Sequence, residues 1–117
     1  MRAKIRADFA LVLQTLTTED VLLIHEALAA DFAAADDPIA PAGVRDMGLL
    51  ESAIGRQFAG SVTSLKYPAP IENAATVMYG ICSNHPFHNG NKRTALVSLL
   101  SHLDKNGLTL MDTREKE

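Results

Sequence analysis

Apolar residues recur at helical spacing along most of the chain, and the interruptions between them mark out four helices. "LTTEDVLLIHEALAADFAAA", from Leu16, offers Thr17 or Thr18 as cap and puts Glu19 and Asp20 in the first turn, where carboxylates meet the positive end of the helix dipole. Val21, Ile24, Leu28 and Phe32 share one face of it, with His25 and Glu26 off that face. "DDPIAPAGVRD" breaks the pattern with two prolines and a glycine. A short helix follows in "MGLLESAIGRQ" and turns Leu49, Leu50, Ala53 and Ile54 inward. In "FAGSVTSLKYPAP", Gly60 and two prolines bracket Val62, Thr63, Leu65 and Tyr67, which predicts an extended flap or short hairpin and excludes a long helix. "IENAATVMYGICSN" is the third helix, buried on most sides and stopped by Pro86. The fourth, "NKRTALVSLLSHLDKNG", runs to Gly107, a left-handed terminator preceded by Lys105 in the last turn. No repeat is visible, and the only biased stretch is Ala33 to Ala35. The expected fold is a compact all-α domain with one short flap, its two most buried helices meeting at a turn.

Composition narrows the partners. A length of 117 residues bounds the chain to one domain with a single modest core, and 47% hydrophobic with 21% charged residues is ordinary for a globular protein. The formal net charge of -3 argues against non-specific nucleic-acid binding, which needs a basic surface. One cysteine, Cys82, rules out an internal disulfide framework and fits a reducing cytoplasm. The start, "MRAKIRADFALVLQTL", places basic residues before an apolar run, but Asp8 and Gln14 interrupt it and no small-residue cleavage site follows, so a signal peptide is not expected. No stretch approaches the roughly 20 apolar residues a membrane span requires.

The chemistry concentrates in the turn. Residues His85 to Lys92 hold two histidines, two asparagines, a proline, a glycine and a lysine, and Arg93 follows. Gly90 and Asn91 stand where the fourth helix begins, so backbone N–H groups there lack intrahelical acceptors and the dipole favours an anion. Gly90 allows close approach, while Lys92 and Arg93 add fixed positive charge, with arginine suited to bidentate phosphate contact. His85, facing the same space, is the candidate base. A base beside a phosphate cradle points to transfer of a phosphate-containing group to a hydroxyl. The plainer readings are that His85 caps the third helix and that Lys92 and Arg93 are solvated. Phe87 reads as a core anchor for the loop. His85 and His88 form an H-x-x-H pair, but Pro86 between them works against helical ligand geometry. His25 and His102 read as exposed and inert.

Taken together, "HPFHNGNKR" resembles the active-site motif of the Fic/Doc family, H-x-F-x-[DE]-[AG]-N-[GK]-R, at His85, Phe87, Gly90, Asn91, Lys92 and Arg93. "VRDMGLLESAIGRQ" resembles the Doc (death-on-curing) branch, and the likeness extends from Thr17 to Gly107. The resemblance implies a Fic-type helical domain with ATP or another nucleoside triphosphate as donor and Mg²⁺ as a possible companion. His85 would be the general base toward a target Ser, Thr or Tyr hydroxyl. Asn89, Gly90, Asn91, Lys92 and Arg93 would bind the nucleotide phosphates, and Val62, Thr63, Ser64 and Leu65 would form a flap that aligns the target by strand addition.

Lys92 and Leu96 stand where AMP-transferring members usually carry glycine and a second arginine, so the resemblance leans to phosphotransfer onto a translation component over adenylylation. The family's inhibitory [ST]-x-x-x-E-[GN] motif is absent from the sequence, which implies a separate antitoxin; a homo-oligomer is also compatible. Asn89 departs from the acidic residue that holds Mg²⁺ in the family. Its amide oxygen can coordinate the cation without the charge, or its amide can donate to phosphate. A weakly active or inactive module that binds nucleotide or a partner protein is therefore the alternative reading. Doc-type proteins usually continue with further helices beyond the equivalent of this chain's last residues. Neither nucleic acid nor membrane is an expected partner.

Overall fold

A computed structural model describes residues 12–110 with the exception of Val62. The first eleven residues, where basic positions precede the apolar run, and the charged tail from Met111 lie outside the described residues, as does the expectation for Val62. Among the described residues, four helices and one two-stranded hairpin make up the fold, the all-α domain with a short hairpin that the hydrophobic pattern predicts.

Helix α1 spans Thr18–Asp31 and begins with Thr17 as its cap. The cap is reciprocal: Asp20 N–H donates to Thr17 Oγ1 at 3.1 Å, and Thr17 N–H donates to the Asp20 carboxylate at 2.9 Å. That backbone donor, together with Lys105 Nζ at 3.0 Å, holds the Asp20 carboxyl below its ordinary value of 3.8. Helix α2 covers Met47–Gly55, is capped by Asp46 and runs into a 3₁₀ turn at Arg56–Phe58. Strands β1 (Gly60–Ser61) and β2 (Ser64–Leu65) pair antiparallel, with Gly60 opposite Leu65 and Ser61 opposite Ser64.

Helix α3 spans Pro70–Asn84, and its proline sits at the first position, where no N–H is needed. Helix α4 spans Asn91–Lys105. It ends in a Schellman turn, with Gly107 at φ +75°, Leu108 N–H on the Leu103 carbonyl and Gly107 N–H on that of Asp104.

Helices α3 and α4 form the most extensive packing pair, and α2 closes over α3. Gly80 makes that closure possible, because a Cβ there would stand 2.9 Å from Ala53 Cα. The core gathers Leu16, Val21, Leu50, Ala53, Ile54, Val77, Ile81, Phe87 and Ala95.

Two histidines expected on exposed faces are buried instead: His25 is 2% exposed and His102 0%. His25 lies one turn beyond Val21, so both share the buried face of α1, while Ile24 and Leu28 are only half-buried. Phe32 falls at the C-cap and is exposed. Burial is tolerated because the polar atoms of both rings find partners. Around His102 the chain of bonds is continuous. Gln57 exchanges bonds with Leu16 N–H and C=O, and Asn73 Nδ2 donates to the carbonyls of Gln57 and Tyr67. That leaves Asn73 Oδ1 to accept from His102 Nε2 at 2.9 Å.

Candidate active site

The loop of residues 85–90 joins α3 to α4. Pro86 disfavours the helical conformation for the residue before it, and α3 ends with His85 in the left-handed region at φ 50°, ψ 58°. The segment before α2 grips this loop along its length. Arg45 and Asp46 N–H groups both donate to the Pro86 carbonyl, at 2.6 and 3.1 Å, and His88 N–H donates to Gly43 C=O at 3.1 Å. Arg45 Nε and Nη2 donate to the carbonyls of His85 (2.8 Å) and Asn84 (3.0 Å). A cation thus closes the negative end of α3, where helix carbonyls lack intrahelical donors.

From beneath, the loop rests on Phe87. Its ring is 1% exposed and stacks on His25 at 3.9 Å between centroids and 11° between planes. The Asn91 side chain clamps the same residue, accepting from Phe87 N–H and donating to Phe87 C=O, both at 2.9 Å. His25 has a defined tautomer. Gly43 N–H can only donate, so Nε2 accepts at 3.0 Å, and Nδ1 carries the proton toward Thr94 Oγ1 at 3.0 Å. Burial lowers the pKa of His25 from its ordinary 6.5, which favours this neutral form.

Above that support, α4 opens toward solvent. Gly90 occupies the cap position at φ 74° and supplies no side-chain cap. The N–H groups of Asn91, Lys92 and Arg93 lie in the first turn, where no intrahelical carbonyl is available. The close approach at Gly90 is made by the chain itself, since a Cβ there would meet Ile39 Cδ1 at 2.8 Å. Asn89 is engaged at both ends: Oδ1 accepts from Gly90 N–H at 2.7 Å and Nδ2 donates to Ala40 C=O at 3.0 Å. These partners fix the orientation of the amide, because a carbonyl can only accept. Arg93 Nη1 donates to Asp37 C=O at 2.9 Å, and its guanidinium lies 5.0 Å from the Phe32 ring centroid. The stretch after α1 is thereby laid across the start of α4.

A cavity of about 400 Å³ results, bordered by Asp37, His85, His88, Asn89, Gly90, Asn91, Lys92 and Arg93. It brings together every residue singled out in the turn except Pro86 and Phe87. The flap residues do not border it. Thr63 and Ser64 are exposed and Leu65 is half-buried. The hairpin's base is tied to the start of α3 through Asn73 and Tyr67, and the helix rises roughly 16 Å from Asn73 to Asn84 at about 1.5 Å per residue. A cavity of about 550 Å³ beside the hairpin is bordered by Arg56, Lys66, Tyr67, Glu72 and Tyr79 among others, and by no histidine. Among the described residues no group of three or more His, Cys, Asp or Glu could hold a metal ion.

Sequence reasoning missed Arg45, Asp37, Ile39 and the burial of His25. Only Arg45 carried a signal, in the "VRDMGLLESA" run. The other three act through contacts with distant stretches of the chain.

With that geometry in view, comparison with known proteins is informative. The chain matches the family model described as "Fic/DOC family" over residues 15–103. It is 37% identical over 67 residues to the Toxin Doc of Mycolicibacterium smegmatis, a match covering 57% of this chain and 52% of that toxin. It is 30% identical over 100 residues to the Protein kinase doc of Escherichia phage P1, covering 86% of this chain and 74% of that protein. The chain thus spans about half the length of the first of these relatives in the matched region. No solved structure gives a significant match.

Proposed function

This chain belongs to the Fic/DOC family, and on that premise we propose that it transfers the terminal phosphate of a nucleoside triphosphate, ATP first among candidates, to a hydroxyl of a target protein. One observation carries the proposal: a histidine and an open helix N-terminus flanked by Lys92 and Arg93 border the same cavity of about 400 Å³.

In this reading the polyphosphate lies against the N–H groups of Asn91, Lys92 and Arg93, where the helix dipole and two cations offset its charge. His85 takes the proton of the target's hydroxyl. The hydroxyl oxygen forms its bond to the terminal phosphorus while the bond from that phosphorus to the bridging oxygen breaks, and the nucleoside diphosphate leaves. The left-handed backbone at His85, clipped by Arg45 and underpinned by Phe87, holds the base at a fixed place before the substrate arrives.

The hairpin around Thr63, Ser64 and Leu65 lends an extended segment of the target a strand to align against. An antitoxin as inhibitor belongs to the same proposal, supported by the name of the toxin relative, while a translation component as target and a cytoplasmic setting rest on the resemblance of the motif alone. A divalent cation would supply charge neutralisation at the phosphates when bound. The donor set is compatible with Mg²⁺, which is commonly held by one or two carboxylates plus substrate phosphates and so needs no preformed cage. We assign Asn89 to the cavity's rim, where its amide holds the Gly90 N–H and the Ala40 carbonyl.

The test is intact-protein mass spectrometry of a bacterial lysate incubated with this protein, ATP and Mg²⁺. A phosphate-sized increment on one protein, lost with His85→Ala, is the expected result. An AMP-sized increment would move the chemistry to nucleotidyl transfer. No increment, with ATP binding intact, would reduce the protein to a binding module.

A further inference from the structure

The cavity contains a residue that the motif does not. Of the eight residues bordering it, one bears a carboxylate, and it comes from the stretch after α1: Asp37. Its side chain is 93% exposed, with Oδ2 3.9 Å from Arg93 Nη2, so the carboxylate stands at the cavity's edge and is committed to no close partner. Two backbone carbonyls and one side chain carry the anchoring. Asp37 C=O accepts from Arg93 Nη1, Ala40 C=O accepts from Asn89 Nδ2, and Ile39 packs where a Cβ at Gly90 would lie. These contacts hold the stretch in place and leave the Asp37 carboxylate exposed at the cavity's edge.

Asn89 supplies the complementary fact. Its Nδ2 must donate to the Ala40 carbonyl, a bond that an aspartate at this position cannot make. The amide therefore belongs with the strap it holds, and the strap delivers a carboxylate to the same cavity. From this we infer that Asp37 is the residue that holds a divalent cation against the nucleotide's phosphates. The inference rests on the nucleotide-transfer reading and adds the cation's protein ligand. A hard cation wants anionic oxygen, and one carboxylate with phosphate oxygens and water completes its usual coordination. The neutral Asn89 oxygen, already bonded to Gly90 N–H, contributes no charge.

The experiment is calorimetric titration of ATP into the full chain, once in EDTA and once in Mg²⁺, for the wild type, Asp37→Asn and Asp36→Asn. Asp36 is the neighbouring carboxylate and does not border the cavity; it controls for the change of charge. Circular dichroism checks that each variant is folded, which the exposure of Asp37 makes the expected result. Mg²⁺ should tighten ATP binding by the wild type and by Asp36→Asn roughly tenfold, within the range of ordinary coupling between two bound species. Asp37→Asn should lose that increment while binding ATP in EDTA as well as the wild type or better. Electron paramagnetic resonance of Mn²⁺ added with ATP gives a second reading, with the bound signal lost in Asp37→Asn. An Mg²⁺ increment that survives Asp37→Asn overturns this assignment alone. Failure of the wild type to bind ATP in either buffer overturns the nucleotide reading, and the assignment with it.

Discussion

The two ends of α4 treat the same backbone problem in opposite ways. At the C-terminal end the polar groups are matched within the chain. Asn106 exchanges bonds with Gln14 N–H and C=O and also donates to His102 C=O, while Lys105 Nζ reaches Thr15 C=O and Asp20. The Schellman turn at Gly107 takes two more carbonyls. At the N-terminal end, Gly90 offers no side-chain cap, and the asparagines on either side turn their amides toward the loop and the strap. Helix donors left open beside two cations suit an anion, whereas a sealed end contributes only stability. The difference separates scaffold from site without reference to any motif.

Breaking the sealed side should cost most. Asn73→Ala removes bonds to Gln57, Tyr67 and His102 from a fully buried position and leaves their polar groups unpaired. The expected loss is about 3 kcal/mol of unfolding free energy by urea titration, with ATP affinity per folded molecule unchanged. Gly90→Ala attacks the open side. A left-handed backbone and the Ile39 contact should together cost about 2 kcal/mol and weaken ATP binding as well. Combining it with Ile39→Ala should relieve the contact but not the backbone strain, so recovery stays partial.

Acid should produce the mildest effect and touch both sides. Burial lowers the pKa of His25 and of His102 from the ordinary 6.5. The unfolded chain therefore binds protons that the folded chain refuses. The stability of the neutral pair is complete above pH 6.5 and declines as the pH falls from there toward the folded-state values. Urea midpoints at pH 7.5 and 5.5 should differ in that direction, and by less in His102→Gln.

The sequence made the scaffold legible through periodicity and punctuation. Thr17 and Gly107 each carry a capping chemistry that fixes a helix boundary locally, and the run from Asn91 to Lys105 carries a helical pattern throughout. The site was legible as a list of residues but not as an arrangement. His85, Lys92 and Arg93 announce their chemistry by type, whereas Ile39, Asp37 and Ala40 matter through where a distant stretch of backbone lies. His25 was misjudged because a polar ring one turn after Val21 looks exposed until both nitrogens are seen to be bonded. Asn91 read as part of the phosphate cradle, and the sequence did not show that its side chain also clamps Phe87.

The Arg45 clip has a consequence for how the protein is made. It joins positions 40 residues apart, since Arg45 Nε holds the carbonyl of His85. Closing so long a loop carries an entropic cost that local contacts do not share, so such pairings tend to form late, once the parts they bridge are already assembled. A ribosome that has released the chain only through α3 holds the gripping segment without the loop it grips. The cavity is therefore complete only once α4 has been made.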